Sequence, residues 1–106
     1  VLSLGAAPFR PNITGLDLPG IYSLRNIEDM DSIISHFSKK TPKSILVVGG
    51  GFIGLEMLEQ LHSKFASDNK EITLVESNPQ ILTPLDSEMA RPIEEAISHK
   101  GIHLII

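Results

Sequence analysis

Gly49, Gly51 and Gly54 stand at the spacing G-x-G-x-x-G, and an acid, Glu76, follows 22 residues after the last of them. These residue types at these intervals suit the binding of a diphosphate and a sugar. Gly49 permits a tight turn. Gly51 puts no side chain in the path of a pyrophosphate, and Gly54 lets a helix lie close against a strand. Backbone N–H groups and the positive end of a helix dipole then face the phosphates. A carboxylate at position 76 can accept both hydroxyls of an adenine ribose. The chemistry on offer is dinucleotide binding.

The elements that must position these residues are legible around them. Ile45, Leu46, Val47 and Val48 form an unbroken apolar run, the pattern of a strand buried on both faces of a parallel sheet. After the glycines, Ile53, Met57, Leu58, Leu61 and Phe65 recur at helical spacing and predict one sheet-facing stripe. Ile72, Leu74 and Val75 suggest a second strand that Glu76 closes. The glycine string alone would fit a glycine-rich turn in some other α/β protein. Strand, helix, second strand and terminal acid in this order favour the dinucleotide reading.

On either side the pattern continues. Val1 to Leu4 reads as a short buried strand, and Gly5 to Gly20 as a wandering connection dense in proline and glycine. Ile21 to Leu24 reads as a short extended piece. Asn26 is a candidate N-cap, Met30, Ile33, Ile34 and Phe37 give a helical stripe, and Thr41-Pro42 stops it. Ser77 to Pro84 reads as a loop. Asp86 is the candidate cap of a helix carrying Met89, Ile93, Ala96 and Ile97 on one face, which Gly101 ends. Pro92 must sit in its first turns or mark a kink. Ile102 to Ile106 reads as a last strand. The expected class is α/β, a Rossmann-like parallel sheet with flanking helices. Residues 1–42 form an entering segment with its crossover helix, and residues 43–106 a βαβαβ nucleotide domain with strands in spatial order 3-2-1.

Composition excludes several classes. The 106 residues carry a formal net charge of −4, so no basic field for nucleic acid is expected. No apolar run approaches the roughly 20 residues that span a bilayer, and no signal peptide is visible, which favours a soluble cytoplasmic protein. Without cysteine the chain offers no disulfide, thiolate metal site or cysteine nucleophile. His36, His62, His99 and His103 show no metal spacing and read as surface residues, as do Glu94 and Glu95. The chain starts without methionine and stops on a strand, so both ends read as cut from something longer.

The string VVGGGFIGLEMLEQL, followed by ITLVE and LTPLDSEM, resembles the NAD(P)H-binding domain of the FAD-dependent pyridine nucleotide–disulfide oxidoreductases. It is most similar to their coenzyme A-disulfide reductase, NADH oxidase and NADH peroxidase branch. LSLGAAPFRP and GLDLPGIYSLRNIEDMDSI are similar to the segments that leave the FAD domain and cross into the NAD domain. The resemblance implies a nucleotide site made of Gly49, Gly50, Gly51, Phe52, Ile53, Gly54, Glu56 and Glu76, with Gly5 in a turn near both cofactors. It implies that Phe52 shields a flavin face, that Glu56 lies near the nicotinamide, and that Glu76 is the ribose acid. Ser77-Asn78-Pro79-Gln80 holds no Arg or Lys for a 2′-phosphate, so NAD(H) is expected over NADP(H).

The parent so implied binds NADH and FAD, forms a homodimer, and passes a hydride from NAD(P)H to FAD and on to a disulfide, persulfide or oxygen acceptor. The redox cysteine and the FAD segments are absent from these 106 residues, so no catalytic residue is assigned and no turnover is expected of the fragment alone. Plainer readings stand beside these: Phe52 as core, Glu56 as a first-turn acid favoured by the helix dipole, and the whole as a non-catalytic Rossmann nucleotide-binding or sensor module. A flavin-containing ferredoxin or nitrite reductase is a third option.

Overall fold

In the computed structural model, residues 1–65 and 67–106 are described, and they fall into two compact units, Val1–Thr41 and Pro42–Ile106.

The first unit contains one helix, α1 (Ile27–Lys39). Its start is a reciprocal capping box. The Asn26 side chain accepts from the Asp29 N–H at 2.9 Å, and the Asp29 carboxylate accepts from the Asn26 N–H at 3.2 Å. No α1 residue is fully buried. The Tyr22 hydroxyl lies 2.9 Å from His36 Nδ1 with the rings edge to face, so His36 is half-buried and partnered rather than a bare surface residue. The expected strand at Val1–Leu4 is not formed. Val1, Leu2 and Leu4 are fully exposed, and an apolar run becomes a strand only when a neighbour takes its backbone hydrogen bonds. Ile21 to Leu24 likewise has no strand pairing.

The second unit alternates strand and helix: β1 (Ser44–Val48), α2 (Phe52–Phe65), β2 (Glu71–Val75), α3 (Ser87–His99) and β3 (His103–Ile105). Its three strands are parallel in the order β1-β2-β3, the expected 3-2-1 read from the other edge. The register aligns Val47, Leu74 and Leu104 in one row and Val48, Val75 and Ile105 in the next. Successive side chains alternate across a sheet, so these rows lie on opposite faces. α2 packs on β1 and β2, and α3 on β3. The covered face and the helices bury Leu58, Leu61, Ile72, Leu74, Ala90, Ile97 and Ile102. Full burial of a side chain such as Leu74 contributes about 2–3 kcal/mol.

The other face stays open. Leu46 is 61% and Val48 71% exposed, so β1 is not buried on both faces as its composition suggested. The α2 stripe also differs at its start, where Ile53 is 68% exposed and lies off the core face. Pro92 falls in the second turn of α3. Gly101 closes that helix at φ +75 in a Schellman arrangement. Its N–H donates to the Ser98 carbonyl and the Ile102 N–H to the Ile97 carbonyl.

Candidate functional site

The glycine loop leaves β1 at its C-terminal end and enters α2 directly. Gly49 has φ +105, a conformation that side chains disfavour, and its N–H donates to the Val75 carbonyl at 2.8 Å. Gly54 is excluded from any larger residue by contact. A Cβ there would sit 1.9 Å from the Gly49 carbonyl oxygen, so its absence lets α2 start against the strand. Gly51 is the opposite case. A Cβ on it would meet nothing within 4 Å, and the residue is exposed. The open space lies at the mouth of α2, whose first turn holds no acid. The first N–H groups of a helix have no partner within it and carry its positive dipole end.

Gly50 lies outside the turn-and-packing logic of the G-x-G-x-x-G spacing, yet its surroundings exclude a side chain. A Cβ at Gly50 would lie 2.7 Å from Ile81 Cγ2 and 3.3 Å from Glu76 Oε2. The Gly50 N–H donates to Glu76 Oε2 at 2.7 Å, and its carbonyl accepts from the Leu82 N–H at 2.9 Å. The glycine loop is thus stitched to the segment after β2. Glu76 sits at the tip of β2, the neighbouring strand. Its Oε1 accepts from the Asn78 backbone N–H at 2.8 Å and from Asn78 Nδ2 at 2.7 Å. The Asn78 N–H, then the Gly50 N–H, hold the carboxyl down at about 2 from an ordinary value of 4.5, against a smaller opposing cost of burial. Glu76 is therefore an anion at every physiological pH.

The segment from Ser77 to Pro84, read from the sequence as a plain loop, supplies part of the core. Ile81 is fully buried and Leu82 is 5% exposed. Leu82 adopts φ +48, a conformation that costs a bulky residue about 1–3 kcal/mol and persists where surroundings over-determine it. Here its N–H is fixed to Gly50 and its carbonyl accepts from Leu85. Glu94, taken from the sequence as helix surface, is half-buried, and its Oε1 accepts from the Ile81 N–H at 3.3 Å. The apolar pair Ile81-Leu82 inside an otherwise polar loop was the signal for this support.

Phe52 opens α2 and is 65% exposed, so it is not core within this unit. Glu56, one turn on, is also exposed. Ile53 stands between them in sequence and is exposed as well. The structure therefore brings Gly49, Gly50, Gly51, Gly54 and Glu76 together, with Phe52, Ile53 and Glu56 on the exposed start of α2. Gly5 lies in the first unit at φ +69 with open space around its Cβ position. The site described here is built within the second unit.

The whole chain, residues 1–106, matches the family model described as pyridine nucleotide-disulphide oxidoreductase. An NADH oxidase of Methanocaldococcus jannaschii is 36% identical over 107 residues, covering 100% of this chain and 23% of the relative. The coenzyme A disulfide reductase of Staphylococcus haemolyticus is 32% identical, covering 96% and 22%. Among solved structures, the reduced Bacillus anthracis CoADR-RHD superposes with a TM-score of 0.88 at 37% identity, covering 96% of this chain and 18% of that one. An NAD-dependent persulfide reductase from A. fulgidus gives a TM-score of 0.85 at 31% identity, covering 96% and 18%. The chain thus spans less than a quarter of the length of these relatives.

Proposed function

The chain belongs to the pyridine nucleotide-disulphide oxidoreductase family, and from that premise we propose that residues 42–106 bind NADH for a flavin-dependent oxidoreductase. The observation that carries this reading is the pairing of open space at Gly51 with an ionised Glu76 whose Oε2 lies 2.7 Å from the Gly50 N–H. A diphosphate fits the first, because backbone N–H groups and the helix dipole meet it without an intervening side chain. A ribose hydroxyl fits the second, because a carboxylate accepts and cannot donate. The same carboxylate repels a 2′-phosphate, and Ser77 to Gln80 supplies no cation to offset that repulsion. NADH is accordingly favoured over NADPH.

Phe52 and Glu56 are exposed at the start of α2, which supports assigning them to the nicotinamide half of the nucleotide. When bound, the nicotinamide supplies a hydride for FAD, which the proposed enzyme hands on to a disulfide, persulfide or oxygen acceptor. The residues of this chain bind and orient; none is assigned a covalent or proton-transfer step. Flavin, acceptor and a homodimeric state belong to the proposed whole protein. No helix among the described residues is long and apolar enough to cross a membrane, and a cytoplasmic site of action is part of the same proposal.

Calorimetric titration with NADH and NADPH tests the reading. Saturable NADH binding, weaker NADPH binding, and narrowing of the difference in Glu76→Ala are expected. Equal affinity for both nucleotides in the unmodified protein would contradict the role given to Glu76.

A further inference from the structure

We infer that Asn78 is a positioning residue that fixes the Glu76 carboxylate and thereby sets how strongly the site prefers NADH to NADPH. The inference rests on the nucleotide reading above and adds to it a residue that no glycine or acid motif contains.

A carboxylate offers about four lone-pair positions on two oxygens. Oε1 of Glu76 takes two close donors, both from Asn78: the backbone N–H at 2.8 Å and Nδ2 at 2.7 Å. The Ser77 hydroxyl stands farther off, at 3.4 Å. Oε2 takes one, the Gly50 N–H at 2.7 Å. The open acceptor position therefore lies on Oε2, beside the glycine loop, and Oε1 serves as the anchored end. Three donors on two sides leave the group little freedom to turn. The fixed carboxylate keeps its charge where a 2′-phosphate would have to lie.

The backbone donor survives any substitution except proline, so the side-chain amide can be removed alone. In Asn78→Ala, Oε1 keeps one firm anchor and the carboxylate gains a rotation that moves charge away from a 2′-phosphate. NADPH then gains relative to NADH, and the affinity ratio falls roughly three- to tenfold, the scale of one hydrogen bond to a charged group. Asn78→Ser keeps a short donor and recovers part of the ratio. Burial at position 78 is slight, so thermal stability should move little in either variant. A change in selectivity without a matching change in stability is what separates positioning from a merely structural role.

The test is titration of the unmodified protein, Asn78→Ala and Asn78→Ser with NADH and with NADPH, alongside their melting temperatures. A reduced ratio in the alanine variant with partial return in the serine variant supports the inference. An unchanged ratio overturns it while leaving the nucleotide reading intact. Tighter NADH binding by Asn78→Ala also overturns it, since the amide would then be a competitor of the ribose. Failure of the unmodified protein to bind either nucleotide overturns the site itself, and the inference with it.

Discussion

Glu76 is held as an anion by donors that exist only in the folded chain, and this links its charge to stability. Its folded value is about 2 and its ordinary value 4.5. The contribution is fully present above pH 4.5 and is lost as pH falls toward 2, because the unfolded chain takes up the proton first. Denaturant titrations across this range should show the unmodified protein losing its advantage over Glu76→Gln as pH drops; a constant difference would mean that the carboxylate charge is not what the fold uses. The glycines separate at the same scale. Gly54→Ala drives a Cβ into the Gly49 carbonyl and should cost about 3 kcal/mol or more, at the top of the overpacking range. Gly51→Ala enters open space, so stability should stay within about 0.5 kcal/mol while NADH affinity falls at least about tenfold. Urea unfolding and calorimetry on the two variants check both halves. The roles of Gly49 and Gly54 were legible in the sequence because turn geometry and close packing follow from the spacing. The contact that demands Gly50 was not, because it is made by Ile81, which lies 31 residues away.

At the scale of elements, the helices were legible from stripes and stop signals. Asn26, Thr41-Pro42, Asp86 and Gly101 all fall where the structure begins or ends a helix. Gly101→Ala should cost about 1 kcal/mol, since φ +75 disfavours a Cβ, and lower the melting temperature by about 4–8 °C. No change would mean that the helix end relaxes without the left-handed residue. Strands were harder to read. Composition announced β1 and β2, and they formed because they pair with each other. Val1–Leu4 has the same apolar character but no partner, and remains unpaired. The loop after β2 was the least legible part. Ile81 and Leu82 obey no strand or helix period, and they are buried because long-range hydrogen bonds to Gly50 and Glu94 fix their backbone.

At the scale of the molecule, all the buried apolar residues among those described lie in the second unit, from Leu58 to Ile102, and α1 buries none of its residues fully. Leu74→Ala, at a fully buried position, should therefore cost about 2–5 kcal/mol. Leu4→Ser in the exposed segment should change stability by no more than about 0.5 kcal/mol. Comparable losses from both would show that the first residues carry packing absent from this structure. The parallel order and βαβ rhythm were expected from the sequence, and so was the family. The open face of the sheet was not, because a run such as Ile45–Val48 has one composition whether one face or two are covered.

The central claim concerns a place: the mouth of α2, between Gly51 and Glu76. Mapping amide chemical shifts during NADH addition tests it most directly. The largest changes are expected at Gly50, Gly51, Phe52 and Ile53, with Glu76 and Asn78 following at the same saturation. Saturable shifts confined to another part of the chain, or none at saturating NADH, would contradict it.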